Sequence, residues 1–497
     1  MTAGLVISQD PVAGTAVNIG SSVNLVISLG KPAKVETPTI SPNGGTFTGS
    51  TQVTLACSTS DPRTIRYTTN GSDPTSSSTL YYSPFTVSTS CTVKARGFKS
   101  GYTDSDVASA SFIINPAPCK FGSFDGQKNV KLTLKDCNNN DVTFMLAGTG
   151  YGEIDCDDCD FSSITLYDTT EKSVLTIKTK GKTETSIGDI IVNGSLKRIL
   201  AKTTDLRGDI TVTGSLGSIT FDDIADEHTI TIGSSANPKA AVTIAFDQVS
   251  DLTINSEMPI KMLTATEWLG GSLNAPSVGS ITTKGDKKRG IAGDLDIDVT
   301  LDGAVNSVKV AGTLFGVWTC DAIKSISATD INEANLILRQ KPDAKILALG
   351  KLTVKGWIDS SQILSEGNIG TVTAGAIIDS SCFAGVTDTN DLNADGVLDL
   401  PDPAVDVNYV EPATIKSITV KGIKGEYCVI NSNIAAAQIL SASLAYPENE
   451  NDGIPFGLSA GFIKALKVKD AEGTESWKNL DKPSDSKEFG DAKVLLY

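Results

Sequence analysis

The stretch DLNADGVLDLPD, Asp391 to Asp402, sets oxygen-bearing side chains at spaced positions of a twelve-residue loop. Asp391, Asn393 and Asp395 stand at positions one, three and five. Gly396 is sixth, Val397 offers its carbonyl at seven, and Asp399 and Asp402 stand at nine and twelve. Hard divalent cations collect about six to eight oxygen ligands, and a glycine at the sixth position permits the sharp turn that wrapping an ion requires. The spacing predicts Ca2+ at this loop, against the plainer reading of an acidic surface loop.

The pattern resembles the EF-hand loop and, with Asp rather than Glu at its last position, the dockerin loop. Asp402 is one methylene shorter than Glu, so its bidentate reach is reduced. Pro401 and Pro403 prevent a clean exiting helix. No helix pair is then available to open, and the expected role is a structural staple rather than a sensor.

Other chemistry-bearing residues have weaker support. Cys156-x-x-Cys159 lacks a second pair or a nearby His, and its acidic neighbours disfavour a redox thiolate, so a structural Cys156–Cys159 disulfide is expected. GLSAG around Ser459 matches a nucleophile motif, but that motif needs a strand-to-helix turn and a His partner. The single histidine, His228, lies far upstream. Asp222, Asp223 and Asp226 form one acidic group; Asp294, Asp296 and Asp298 form another, which strand alternation sets on one face. Carboxylate pairs serve glycoside hydrolysis, yet the same residues suit a solvated face with Leu295, Ile297 and Val299 turned inward. Trp268, Trp318, Trp357 and Trp477 suit either sugar stacking or packing.

The 497 residues carry 42 Lys and Arg against 58 Asp and Glu, a formal charge of −16. That argues against a nucleic-acid partner, which needs a basic face. One histidine makes zinc and general acid–base chemistry less expected. No apolar run reaches membrane-spanning length, and the opening MTAGLVISQD does not read as a signal peptide. Nine cysteines leave at least one unpaired within the chain.

Three segments follow one another. In residues 1–33, Ser8, Gln9, Pro11, Gly14, Val17, Gly20, Ser21 and Val23 fill a pattern that resembles the second half of a PASTA module. Residues 36–115 carry Pro42, Gly44 to Phe47, IRYTTNGSDPT, SPF and TVKARGFKSGY. They resemble the chitobiase/β-hexosaminidase C-terminal domain family, which implies an immunoglobulin-like β-sandwich. Asn70-Gly71 reads independently as a turn between strands. Cys57 and Cys91 both fall in expected strands, and a disulfide between them across the domain is expected, which implies an oxidising compartment.

From 118 to 497 one apolar–polar pattern recurs: LKRILAK, LGSITFD, VSDLTIN, VGSITTK, VNSVKVA, IKSISAT, LGKLTVK, IGTVTAG, IKSITVK and IKALKVK. Spacings are mostly about 18 to 33 residues, with almost no helical period, which signals a solenoid. Short period-2 strands and glycine turns predict a right-handed parallel β-helix in an otherwise all-β chain. The calcium loop sits in an insertion near 383–412.

The end, Ala492, Val494, Leu495, Leu496 and Tyr497, reads as an apolar strand able to join a neighbour's sheet edge. The expectation is a secreted or cell-surface bacterial structural protein, not an enzyme. It would self-associate head-to-tail into a filament or surface layer, with possible cell-wall or extracellular glycan contact and no membrane span. A carbohydrate-binding adhesin and a β-helix polysaccharide lyase are the alternatives.

Overall fold

A computed structural model describes residues 2–60, 64–155, 158–181, 183–225, 227–343, 345–386, 391, 396–401, 412–448 and 450–496. The chain forms two compact units, Met1–Pro118 and Cys119–Tyr497. Among the described residues it is all strand and turn, apart from one 3-10 turn at Pro483–Asp485.

The first unit opens with an antiparallel pair, Val6–Asp10 and Asn24–Ile27. Leu5, Val6, Ile7, Leu25 and Val26 remain about half exposed there, so the pair has no core of its own. Beyond it stand two sheets. Thr39–Ser41, Thr51–Ala56 and Phe85–Val87 form one; Gly45–Thr48, Ala108–Asn115, Cys91–Phe98, Thr64–Thr68 and Thr79–Leu80 form the other. Strand alternation turns Val53 and Leu55 of the first towards Val93, Ala95 and Phe112 of the second, and these residues make one core.

The cysteine pairing differs from expectation. Cys57 and Cys91 are free thiols. Cys57 Sγ donates to the Glu36 carbonyl at 3.2 Å, while Cys91 pairs in register with Phe112 in the other sheet. Alternation sets the face a cysteine points to, but not where along the facing strand it arrives. The Cys156–Cys159 pairing also gives way. Cys159 bridges to Cys137, with their Cα atoms 4.9 Å apart, and Cys137 N–H donates to the Cys159 carbonyl at 3.2 Å. The turn after Lys131–Lys135 and the loop after Tyr151–Ile154 meet only in three dimensions. Cys119 is disulfide-bonded as well; Cys156 lies outside the described residues.

The second unit is a solenoid-like stack. A coil contributes a short strand to a first face, a bend, a strand to a second face, and after a corner a strand to a third. Glu267–Ala275 supplies the first two faces around Gly270 and Gly271, and Val278–Thr283 supplies the third. Gly271 has φ +99°, and a Cβ there would lie 2.2 Å from the Leu252 carbonyl oxygen, so glycine alone makes this bend. Inward residues stack from coil to coil in parallel register. The second face runs Ile210, Ile230, Ile254, Leu273, Val299, Trp318 and Leu336. The third runs Ile199, Ile219, Ile244, Leu263, Ile281, Val308 and Ile326. All are essentially inaccessible to solvent. Burying each such side chain contributes roughly 1.5–3 kcal/mol.

One of the recurring motifs belongs elsewhere. VSDLTIN places Leu252 beside the second-face His228, whereas the third face of its coil is Ile260–Ala265. Apolar–polar alternation is the same on every face, so the pattern alone cannot separate them.

Both ends turn antiparallel. Asp141–Ala147 pairs with Lys131–Lys135 and Val174–Lys180 at one end, and Phe456–Lys469 with Thr474–Leu480 at the other. The terminal strand Ala492–Leu496 is not free for a neighbour. One edge pairs in parallel with Phe456–Lys469, and the other pairs antiparallel with Lys487–Phe489. Ala492, Val494 and Leu496 complete the core of the last coil at 5%, 2% and 3% exposure, while Leu495 points the other way. Tyr497 lies outside the described residues. Its alternating apolar residues suit this inner rung as well as they suit an intermolecular one, and intrachain pairing wins because it carries no association entropy.

Candidate functional site

Two regions carry candidate chemistry: an acidic corner and the insertion that holds the Asp391–Asp402 loop. The corner follows from register on the first face, where Leu206, Ile224 and Val249 stack inward. Their preceding residues, Asp205, Asp223 and Gln248, therefore share one outward row. Asp223 Oδ1 accepts the Gln248 N–H at 3.0 Å. The same device recurs further along: Asp294 Oδ1 accepts Thr313 N–H at 2.7 Å, and Asp330 Oδ1 accepts Trp357 N–H at 2.8 Å. Each carboxylate satisfies a backbone donor of the next coil where the chain turns and the ladder is interrupted.

Asp222, Asp223 and Asp247 bring carboxylate oxygens within 4.8 Å of one another. Asp247 is held by Arg289 through two contacts, 2.5 and 2.7 Å, and Arg289 Nε also reaches Asp286 at 2.9 Å. The guanidinium holds the Asp247 carboxyl below its ordinary range. Among the described residues the Asp222 carboxylate has no hydrogen-bond donor. Burial, then the charges of Asp223, Asp205, Asp247 and Glu184, push it up to about 6. Asp226 lies outside the described residues.

The folded state keeps the Asp222 proton up to about pH 6, whereas an unfolded Asp releases it near about 4. The stabilisation is complete below the unfolded value and is lost as pH rises through 6. Asp222→Asn should flatten thermal stability between about pH 4 and 7 and raise it at pH 7. With solvent screening the gain is no more than about 1 kcal/mol. Melting curves across that range check it, and an unchanged slope would refute it.

The second acidic group is a solvated face. In Leu295–Leu301 the apolar residues turn in and Asp296 and Asp298 turn out. Burial, then Asp298, Glu333 and Asp294, raise the Asp296 carboxyl. Asp298 Oδ1 accepts the Val317 N–H at 2.8 Å.

In the calcium loop, Asn393, Asp395 and Asp402 lie outside the described residues. Asp391 Oδ2 accepts the Gly396 N–H at 3.0 Å, and Gly396 has φ +86°, a conformation that favours glycine. The first carboxylate of the loop thus folds back over its sixth residue, with Val397 buried and Asp399 partly exposed.

Residues 396–401 then cross four successive second-face strands. Gln362 Nε2 donates to Gly396 O at 3.3 Å. Ser381 Oγ accepts from Leu398 N at 3.0 Å, and Asn433 Nδ2 donates to Leu398 O at 2.8 Å. Ser459 Oγ donates to Pro401 O at 2.7 Å. Leu398 packs on Phe383 and Ala435, beside the partly buried Leu364 and Val386. The segment is a strap lying across the coils. Its receiving residues had one sequence signal: Ser381, Asn433 and Ser459 interrupt otherwise small or apolar runs.

Ser459 is fully buried inside the strand Phe456–Lys469, so GLSAG here is a strap anchor on a strand rather than an elbow. Trp268 and Trp318 are fully buried, with indole N–H groups donating to Gly270 O and Phe315 O. Trp357 and Trp477 are partly buried against the core.

The comparisons bear on the first unit. Residues 42–109 match the family model of the chitobiase/beta-hexosaminidase C-terminal domain. The match covers most of the two-sheet part of that unit and none of the solenoid. No curated protein and no solved structure matches the chain. Among the described residues, no helix is long and apolar enough to cross a membrane.

Proposed function

We propose that this protein is a secreted or cell-surface structural protein. In this reading an immunoglobulin-like sandwich, preceded by a PASTA-like half-module, leads into a parallel β-helix that self-associates in an extracellular filament or surface layer. The main observation behind it is the use made of the acidic residues: along the solenoid they cap backbone donors of the next coil, a constructional role. The exposed Cys137–Cys159 disulfide suits an oxidising compartment. A domain named for glycan-cleaving enzymes fits an extracellular glycan setting. Because Ala492–Leu496 is paired on both edges, association is assigned to surfaces other than that strand. Electron microscopy and sedimentation of the purified chain test the reading; a monomer at every accessible concentration would sink it.

Ca2+ in the Asp391–Asp402 loop would anchor the strap. The folded-back Asp391 carboxylate and the positive φ of Gly396 fit such a loop. Chelation should then increase proteolysis near residues 396–401 and lower the melting temperature, and added Ca2+ should reverse both. Equal protease resistance with and without chelator would rule the staple out.

An adhesin is the second reading, and one observation favours it. Thr211, Thr231, Asn255, Asn274 and Thr300 stand in register along a groove of about 810 Å³, with Asn274 Nδ2 donating to Asn255 Oδ1 at 2.9 Å. Such a row of amides and hydroxyls suits sugar hydroxyls. A polysaccharide lyase would need an unpaired cation beside its carboxylates; at the acidic corner Arg289 is held by both Asp247 and Asp286.

A further inference from the structure

Charge is segregated around the solenoid. The third-face strands Ile260–Ala265, Val278–Thr283, Val305–Lys309, Ile323–Ala328, Leu349–Val354, Ile369–Ala374 and Thr414–Val420 contain no Asp or Glu. They carry Lys261, Lys309, Lys324, Lys351 and Lys416, all exposed. This occurs in a chain of net charge −16. None of the five lysines is in an ion pair among the described residues. One outward row reads Ser307, Ser325, Lys351, Thr371 and Ser417, short hydroxyl side chains around a cation.

The first and second faces of the same coils bear the opposite charge. Asp296 and Asp298 project from Leu295–Leu301, Glu333 from Asp330–Leu338, and Asp359 ends Trp357–Asp359. Burial first, and then the neighbouring charges of Asp298, Glu333 and Asp294, raise the Asp296 carboxyl. Both charged surfaces are built on one ladder, so their charges recur at multiples of the inter-strand spacing, about 4.8 Å. Two solenoids lying side by side with parallel axes would match several pairs at once. An exposed pair alone contributes only about 0–1 kcal/mol, so a repeated set is what makes such a contact count.

We propose that solenoids associate laterally, the lysine and hydroxyl face of one copy docking on the acidic first and second faces of another. This rests on the self-association reading above and names its surface. The contact is heterologous: each copy keeps an unused lysine face and an unused acidic face. Growth therefore continues sideways instead of stopping at a dimer.

Sedimentation velocity of the full chain at low ionic strength, about 20 mM, and at about 500 mM tests it, because exposed charge contacts are screened at the higher salt. The wild type should associate at low salt and dissociate at high salt. Lys309→Glu/Lys351→Glu should weaken association by about tenfold or more, since like charges then face each other. Asp296→Lys/Glu333→Lys should do the same. Mixing the two variants should restore association, because each supplies the complementary face. An unchanged melting temperature for each variant separates loss of contact from loss of fold.

Wild-type association that survives the lysine reversals overturns this surface and leaves self-association standing. A wild type that stays monomeric overturns both. Retention by an acidic polysaccharide such as polygalacturonate, lost in the lysine variant while the protein stays monomeric, assigns the face to a glycan and overturns the proposal.

Discussion

Trp318→Ala should cost the solenoid about 3–5 kcal/mol, the range for deleting a buried indole. Trp318 is fully buried, stacked between Val299 and Leu336 in the second-face row, and its Nε1 donates to Phe315 O at 3.2 Å. Removing it leaves a cavity between rigid rungs that cannot close, because both neighbours are held in ladder register. In a stack where each coil contacts mainly its neighbours, the damage is local at first. Urea unfolding should show a lower midpoint, and hydrogen exchange should accelerate in Leu295–Leu301 and Asp330–Leu338 before more distant coils. A loss below about 1 kcal/mol would contradict the packing described. Reduced glycan retention at unchanged stability would return this tryptophan to a sugar-stacking role.

Cys137→Ser should cost about 3 kcal/mol, the chain-entropy value for a loop closed across a sequence separation of 22 residues. The bridge joins two loops at the antiparallel end of the solenoid, where, among the described residues, Lys131–Lys135 pairs with Asp141–Ala147 alone. Denaturant midpoints with and without reductant should differ more for the wild type than for the variant, which keeps the disulfide of Cys119. Cys57→Ser is the control, since Cys57 is a free thiol. Identical midpoints for oxidised and reduced wild type would show that the bridge contributes nothing. The thiols of Cys320 and Cys382 are pushed up to about 12 by burial, so they resist exchange during the experiment.

The all-β, coil-repeating character of the chain was legible because side-chain alternation and repeat spacing are local properties. So was the family of residues 42–109, which rests on contiguous motifs. The spacing of oxygen-bearing residues from Asp391 to Asp402 was also legible, while Ca2+ there stays a proposal; Asp391 accepts the Gly396 N–H, and Gly396 has a positive φ. What failed was pairing. VSDLTIN shares the recurring pattern yet lies on the second face, since period-2 alternation repeats on all three. Cys137 and Cys159 stand 22 residues apart on turns that become neighbours only at the end of the stack, so their pairing has no local signal. Ala492–Leu496 was read as an exposed joining strand because an inner rung and an intermolecular strand share one apolar pattern.

The amino-acid order by itself determined which residues can be inward, where turns must fall, and that carboxylates outnumber cations. Those are consequences of side-chain chemistry and short-range backbone preference. Only the tertiary structure decided what the carboxylates do: Asp294 and Asp330 cap the next coil, Asp247 holds Arg289, and Asp222 is left crowded. It also decided that residues 396–401 cross the coils as a strap and that lysines collect on an acid-free face. These depend on which strand lies beside which, and register is set by the whole stack rather than by any segment in it. DLNADGVLDLPD is therefore a calcium pattern by its spacing, and a candidate fastener by the coils its far end crosses.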